Sequence, residues 1–166
     1  VILDSINLTI DDGETLVILG GSGSGKSTLL RLLIGLQRPT SGQIIVDGTD
    51  ITTLSEDEFN TVRRKMGMVF QYSALFDSMS VGENVAFGLR QHTDLGDDEI
   101  KRIVAERLDW VGLKGYESYM PNELSGCMKK RVSLARAIAL DPSLILYDEP
   151  SSGLDPITSG TISMLI

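Results

Sequence analysis

The sequence predicts an α/β fold with a mostly parallel core sheet, an antiparallel β part near the N-terminus and a helical subdomain. An apolar run at 16–19 leads into a glycine-rich loop and then into an apolar-periodic helix, the order of a strand–loop–helix unit. Alternating apolar residues over 2–10 and the turn signal Asp47-Gly48 predict the antiparallel part. Between residues 72 and 123 strand signals give way to helical periodicity, and another buried strand follows at 144–147.

The strands are predicted from short alternating or apolar runs that turn residues separate. The first run alternates through Ile6, Leu8 and Ile10, and Asp11-Asp12-Gly13 marks the turn into the second. The last two runs are continuously apolar, as expected of buried strands. In chain order the predicted strands cover residues 2–10, 14–19, 43–46, 66–70 and 144–147.

The helices are predicted from apolar periodicity together with start and stop signals. Gly35 ends the helix after the glycine-rich loop, and Ser55 to Glu58 form a capping box that begins the next one. Ser125 is a predicted N-cap, and Asp141-Pro142 stops the helix that it begins. The predicted helices run from the loop to Gly35, from Ser55 to Lys65, over about 97–111 and 126–140, and onward from Asp155-Pro156.

Composition limits the classes of function. The 166 residues suffice for one domain with a real core, and 42% hydrophobic and 23% charged residues are typical of a globular domain. A formal net charge of -8 argues against nucleic acid as a partner, because nucleic-acid binders usually carry a basic surface. The single cysteine, Cys127, excludes an internal disulfide. No apolar run approaches a membrane span, so work at a membrane would require a partner.

Both ends of the chain have the pattern of an interrupted domain. Val1 is not Met and stands in an alternating strand pattern, and Ile166 stands within an apolar helical pattern. We therefore expect a fragment of a longer domain, truncated at both ends.

The glycine-rich loop fits the P-loop pattern of Gly, four residues and Gly-Lys-Ser, and it has the required strand before it and helix after it. Glycines allow backbone N–H groups to approach a phosphate, and the helix N-terminus favours the same anion. Lys26 can reach the β- and γ-phosphates of a nucleotide, and the Ser27 hydroxyl can bind Mg²⁺. The predicted phosphate-binding residues are Gly20, Gly21, Ser22, Gly23, Ser24, Gly25, Lys26, Ser27 and Thr28.

Two acidic residues, Asp148 and Glu149, end the apolar strand downstream of this loop. On its own such a pair is most simply a solvated acidic turn. In a chain with a P-loop, the pair predicts that Asp148 holds Mg²⁺ and that Glu149 polarises the attacking water as general base.

Five motifs then occur in one order and cover nearly the whole chain. They are Gly20–Thr28, Gln71, Leu124-Ser125-Gly126, Asp148-Glu149 and Ser152-Gly153-Leu154-Asp155. They resemble, respectively, the Walker A, Q-loop, signature, Walker B and D-loop motifs of ATP-binding-cassette (ABC) ATPases. The signature motif, after a helical insertion and before Walker B, makes the resemblance specific. It implies a P-loop NTPase of the ABC type, with a RecA-like core.

The resemblance also implies an ATPase mechanism. Two copies would close head to tail over two ATP molecules with Mg²⁺, and Ser125, Gly126 and Cys127 would meet the ATP held by the second copy. Gln71 would contact Mg²⁺ together with Ser27 and Asp148. Lys26, Gln71 and Glu149 would be the catalytic residues, and Asp155 would couple the two sites.

A single ABC ATPase domain is implied, with core residues 1–71 and 141–166 and a helical subdomain of about 72–140 that includes the signature helix. In this family the helical subdomain docks an integral membrane permease, so ATP-driven closure becomes a permease movement. The implied location is peripheral, on the cytoplasmic face of the bacterial inner membrane.

A finer resemblance is to the ATPase subunit of Mla-type phospholipid transporters. It rests on 70–79, 83–87, 89–92, Met128 and 155–158. It implies transport of phospholipid or another hydrophobic compound, with MCE-type lipid-binding and STAS-type subunits as further partners.

The chain departs from the family pattern at Cys127, which replaces the second glycine of the signature and adds a side chain where backbone should approach a phosphate. The switch histidine should follow the D-loop, so His92 is not that residue, and its expected position lies beyond Ile166. The aromatic residue that stacks on adenine should precede Val1. We therefore expect the fragment itself to be a poor ATPase.

Three alternatives stay open. The chain could energise another ABC importer or exporter, because only residues near 74–87 bear on the permease. It could be a soluble ABC ATPase acting on DNA, chromosomes or ribosomes, against which the acidic balance argues. It could be a non-hydrolysing subunit, against which Lys26, Asp148 and Glu149 argue.

Overall fold

Helices and short strand pairs alternate in the computed structural model, which describes residues 2–148. The predicted α/β class is confirmed. Tertiary contacts divide the chain between Phe59 and Asn60 into two compact units. The helices are α1 Lys26–Leu33, α2 Glu56–Arg63, α3 Val81–His92, α4 Asp97–Trp110 and α5 Gly126–Ala137; the strands are β1 Ile45–Val46, β2 Thr49–Asp50, β3 Met66–Val69 and β4 Leu144–Tyr147; a 3₁₀ turn covers Pro121–Glu123.

Helix α1 ends as the sequence predicts, at a glycine in the left-handed region. Gly35 has φ of +72°, its N–H donates to the Leu32 carbonyl at 3.2 Å, and the Leu36 N–H donates to the Arg31 carbonyl at 2.9 Å. These two bonds form a Schellman motif. A Cβ on Gly35 would also lie 2.5 Å from the Phe59 ring, so both backbone and packing favour glycine there.

The predicted hairpin is present in shortened form. Strands β1 and β2 pair antiparallel, with Ile45 opposite Asp50 and Val46 opposite Thr49. The two residues between them, Asp47 and Gly48, have φ of +47° and +72°. Positive φ at both central residues is the requirement of a type I′ turn, which Asp-Gly satisfies.

The predicted strands at 2–10 and 14–19 are wrong as regular strands. Within residues 2–148, neither segment is paired into a sheet. Their apolar side chains stand in solvent, and Leu19 is 88% exposed. The pattern gives strand propensity, but a strand also needs a neighbour to accept its backbone hydrogen bonds and cover its apolar face.

Helix α2 begins at the predicted capping box. The Ser55 N–H donates to Glu58 Oε2 at 2.9 Å, and the Glu58 N–H donates back to Ser55 Oγ at 3.4 Å. The hydroxyl of Ser55 also donates to Glu58, and these bonds hold the pKa of that carboxyl below its usual value. Helix α3 begins at a second capping box, between Ser80 and Glu83, which has the same Ser-x-x-Glu pattern but was not among the predictions.

Strands β3 and β4 pair in parallel, as predicted for the core sheet. Met66 lies opposite Leu144 and Val69 opposite Tyr147. The C-terminal end of α5 packs closely on this pair. A Cβ on Gly67 would lie only 2.6 Å from the carbonyl oxygen of Ala137, so there is no room for a side chain between helix and strand. Glycine at this position allows the helix backbone to approach the strand.

Helices α3, α4 and α5 bury a common apolar core in the second unit. Helix α4 buries Ile100, Val104 and Leu108, and Gly112 follows it with φ of +71°. None of the helices within residues 2–148 has the length and apolar character of a membrane span. The buried core residues are Val69, Val81, Val85, Ala86, Leu89, Ile100, Val104, Leu108, Val111, Leu113, Leu124, Val132, Leu134, Ala135 and Ala139.

Candidate nucleotide-binding site

The glycine-rich loop turns sharply into α1. Gly23 and Gly25 have φ of +80° and +96°, and Gly25 is the N-cap of the helix. The first helical bond runs from the Leu29 N–H to the Gly25 carbonyl at 2.9 Å, so the amides of residues 26–28 precede it. The N-cap has no side chain, and no acidic residue lies in the first turn. The first turn of the helix therefore supplies no anion of its own to the positive end.

Lys26 folds back over the loop that precedes it. Its Nζ donates to the carbonyl oxygens of Gly20 at 2.8 Å and Gly21 at 3.1 Å. An ammonium held by neutral carbonyls lies beside the helix N-terminus, so the two positive features point to one anion site.

The space around the loop fits close approach of a phosphate. A Cβ on Gly20 would lie 2.6 Å from Ser24 Oγ, and a Cβ on Gly25 would lie 2.6 Å from Leu3 Cδ2. A Cβ on Gly21 or Gly23 would meet nothing within 4 Å. Two glycines thus serve the packing of the loop, and the other two keep its open side free of side chains.

Gln71 and Asp148 are brought to one edge of the parallel strand pair. Asp148 directly follows β4, and its N–H donates to the Val69 carbonyl at 3.0 Å, extending the ladder by one residue. Gln71 comes two residues after Val69. The carboxyl ends of parallel strands meet at the same edge, which is where ligands bind in open α/β sheets. Tyr147, the last residue of β4, is half-buried, and desolvation raises the pKa of its phenol.

The signature residues form the start of α5. Ser125 is the N-cap, and its Oγ accepts the Met128 N–H at 3.3 Å. Gly126 is exposed, and a Cβ there would meet nothing within 4 Å, whereas Cys127 is half-buried in the first turn. Behind this turn Lys130 is buried, and desolvation lowers the pKa of its ammonium while the interaction with Cys127 raises it.

The predicted site residues are distributed between the two units. The loop from Gly20 to Thr28 belongs to the first unit, and Gln71, Ser125 and Asp148 belong to the second. Glu149 and Asp155 lie outside the described residues. Their predicted roles, like those of the other site residues, stay predictions. His92 ends α3 and is exposed, as expected of a surface side chain.

A groove lies on the outer face of α3 and the loop before it. Its volume is about 190 Å³, and Met79, Glu83, Phe87 and Arg90 line it with Gln91. Phe87 contacts Phe76, with ring centroids 4.9 Å apart. Partly exposed aromatic and charged side chains in one groove are typical of a protein-docking surface.

Two side chains, Asn84 and Arg136, hold the backbone of the loop that precedes α3. Neither contact is predicted by the sequence motifs. Asn84 is fully buried; its Oδ1 accepts the Phe76 N–H at 2.8 Å, and its Nδ2 donates to the carbonyls of Phe76, Met79 and Ser80. Arg136 donates to the carbonyls of Ser73 and Ala74. A polar residue inside an apolar helical run signals Asn84, but no pattern in the sequence indicates the partners of Arg136.

The chain resembles known proteins over almost all of its length. It is 51% identical over 166 residues to the intermembrane phospholipid transport system ATP-binding protein MlaF of Haemophilus influenzae, covering 100% of this chain and 63% of that protein. It is 52% identical over 165 residues to the "probable ribonucleotide transport ATP-binding protein mkl" of Mycobacterium bovis, covering 99% of this chain and 46% of that protein. The chain thus spans about half to three fifths of the length of these relatives.

A solved structure shares the fold. The ATP-binding cassette MJ0796, described as a dimer in a post-hydrolysis state bound to ADP and Pi, superposes with a TM-score of 0.90 at 36% identity, covering 99% of this chain and 72% of that one. The fold is therefore the α/β P-loop NTPase fold of ABC ATPase cassettes, as predicted. The family model described as ABC transporter matches residues 3–152. The chain belongs to the ABC transporter family, as the order of its five motifs indicates.

Proposed function

We propose that this chain is the ATP-binding and ATP-hydrolysing part of a protein that energises a membrane transporter of phospholipid or another hydrophobic compound. The observation that carries the proposal is the start of α1, where Lys26 and the helix N-terminus face one anion site with no acidic side chain in the first turn.

ATP would bind with its phosphates against residues 20–28. Lys26 would exchange the two carbonyls of Gly20 and Gly21 for phosphate oxygens, a stronger charge-assisted interaction. Backbone amides at the start of α1 would donate to the same phosphates.

Oxygen donors are the ligands that Mg²⁺ prefers, and we propose Ser27, Gln71 and Asp148 for this role. When bound, Mg²⁺ neutralises phosphate charge. We propose Glu149 as the general base toward the attacking water.

A second copy of the chain would complete each ATP site. Ser125, Gly126 and Cys127 begin a helix of twelve residues, so they would present a helix N-terminus to the γ-phosphate held by the partner copy. Asp155 would couple the two sites. The dimeric state of the cassette MJ0796 supports this arrangement for the family.

The groove on α3 would receive an integral membrane permease, with MCE-type and STAS-type subunits in the complete transporter. Residues of about 72–140 would form the helical subdomain that transmits closure, and 1–71 with 141–166 the catalytic core. This arrangement would place the protein at the cytoplasmic face of the bacterial inner membrane.

The substrate class rests on the relatives. The proposal follows the phospholipid transport in the name of the Haemophilus influenzae protein. The name of the Mycobacterium bovis protein indicates ribonucleotides instead, so a ribonucleotide transporter is the second candidate.

Removal of the loop ammonium tests the ATP site. In the complete protein, Lys26→Ala should lower ATP turnover by roughly a hundredfold or more, because a positioned charge on the phosphates is lost. Arg31→Ala is the matched control, since it removes an exposed cation from the same helix. Equal turnover in the Lys26 variant and the wild type would refute the proposed ATP site.

Co-purification tests the transport. The complete, tagged protein is taken from detergent-solubilised membranes, and the accompanying chains and small molecules are identified by mass spectrometry. A multi-span permease with bound phospholipid supports the proposal, and a permease with bound ribonucleotide supports the second candidate. Only soluble or ribosomal partners would refute transport and leave the ATP site standing.

A further inference from the structure

The loop after Gln71 holds two consecutive residues in an uncommon backbone conformation. Ser73 and Ala74 have φ of +64° and +47°, although neither is glycine. Left-handed φ is disfavoured for residues that carry a Cβ, so two in succession need support from their surroundings. The tight bond from the Ala74 N–H to the Tyr72 carbonyl, at 2.7 Å, compresses the same turn.

Arg136 supplies that support from α5. Its Nη1 donates to the Ala74 carbonyl at 2.7 Å and its Nη2 to the Ser73 carbonyl at 3.0 Å. The planar guanidinium spans both carbonyls, which a lysine ammonium on its flexible stem does not reproduce. The side chain is half-buried, and desolvation lowers the pKa of its guanidinium.

The far side of the loop is fixed independently. Asn84 binds the backbone of Phe76, Met79 and Ser80 from α3. The turn at Ser73-Ala74 is therefore held between a segment anchored to α3 and a strand end, and Arg136 connects that turn to α5.

Helix α5 carries Arg136 in its last turn and Ser125 at its N-cap. The two residues are about 16 Å apart along the helix axis at about 1.5 Å per residue. A helix of this length can act as a rigid element, so a displacement of the signature end would reach the turn beside Gln71 through Arg136.

We propose that Arg136 is a positioning residue that couples the signature helix to Gln71 through the turn at Ser73-Ala74. The inference rests on the proposed ATPase function, and it adds the residue on which the placement of Gln71 depends. Arg136 acts on the ATP site through Gln71 and touches neither nucleotide nor cation.

A double-mutant cycle in the complete protein tests this coupling. Arg136→Met, Gln71→Ala and the double variant are compared by turnover and by the Mg²⁺ concentration for half-maximal activity. Arg136→Met should lower turnover and raise that Mg²⁺ concentration by roughly tenfold, as expected when support for a metal contact is lost. The double variant should be no worse than Gln71→Ala alone, because both changes disable one contact.

Arg136→Lys and Arg102→Met are the controls. Lysine keeps the charge and most of the packing, so Arg136→Lys should unfold at the same temperature as the wild type. It should still need the raised Mg²⁺ concentration of Arg136→Met, because lysine does not hold both carbonyls. Arg102 is an exposed arginine of α4 that pairs with Glu99, and its loss should leave both readouts unchanged.

Hydrogen exchange provides a readout that does not need catalysis. Arg136→Met should speed exchange across 71–79 while 97–110 keeps its wild-type rate. Multiplicative losses in the double variant, or unchanged exchange across 71–79, would overturn the proposal. A wild type without ATP turnover would instead refute the proposed function, and the exchange result would still decide whether Arg136 orders the turn.

Discussion

At the scale of the residue, removal of the Ser133 hydroxyl should stabilise the protein. Its hydroxyl is fully buried in α5, and no hydrogen-bond partner is present for it among the described residues. Ser133→Ala removes the unpaired polar atom with almost no change in volume. We expect the free energy of unfolding to rise by about 1 kcal/mol, measured by urea denaturation.

Ser80→Ala is the control of opposite sign. Ser80 Oγ accepts the Glu83 N–H at the start of α3, so its loss should cost about 1 kcal/mol. A Ser133→Ala variant as destabilised as this control would show that the buried hydroxyl has a partner in solution.

Cys127 is the residue where the chain departs from the signature pattern. Its side chain is half-buried in the first turn of α5, beside the exposed Gly126. Cys127→Gly should raise ATP turnover of the complete protein, because the backbone can then approach the phosphate of the partner copy more closely. The same change should lower helix stability by at most about 1 kcal/mol. Unchanged turnover would show that the signature tolerates the side chain.

The local structure around single residues was predictable where a motif fixes the residue types and their spacing. Lys26 lies on the loop that its pattern predicts, and Ser125 is the N-cap that its pattern predicts. Arg136 was not predictable, because its two acceptors are separated from it by about sixty residues and are backbone carbonyls, which every residue has.

At the scale of the element, the start of α3 should be sensitive to acid. Hydrogen bonds from the Ser80 backbone and hydroxyl, then the charge of Arg90, lower the pKa of Glu83 below 4.5. A carboxyl whose pKa is lowered by folding stabilises the protein above its unfolded value and loses that contribution as pH falls through the folded value.

Glu83→Gln tests this capping box. The amide oxygen of glutamine can still accept the Ser80 N–H, but the charge is gone. The wild type should exceed the variant in free energy of unfolding at pH 7, and the difference should shrink as the pH falls below about 4.5. Urea denaturation over this range measures it, and a difference independent of pH would contradict the prediction.

Elements with local signals were predicted well. The helix over 97–111 is observed as Asp97–Trp110, and the capping box at Ser55 is present. The strand at 144–147 has the predicted bounds. The predictions of strands at 2–10 and 14–19 were wrong, because neither segment has a strand partner within residues 2–148. A strand forms only beside a partner, which a local pattern does not reveal.

At the scale of the whole molecule, protection from hydrogen exchange should follow the packing. In the chain of 166 residues, amides of α3, α4 and α5 should exchange slowest, because these helices enclose the apolar core. Among residues 2–148, amides of 2–10 and 14–19 should exchange fastest, since these segments have no strand partner within that range and most of their apolar side chains are exposed. Strong protection at 14–19 would contradict this order and indicate a strand partner in solution.

The sequence by itself determined the family, the α/β class and the position of the glycine-rich loop, since each motif is a short run of residues whose order along the chain is readable without any contact between the runs. Glycine conformation, capping and apolar periodicity act over a few residues, so they can be read locally. Tertiary structure alone decided that Gln71 and Asp148 share one sheet edge and that Arg136 holds the turn after Gln71. These relations join segments about sixty to eighty residues apart, and their physical cause is backbone pairing and burial.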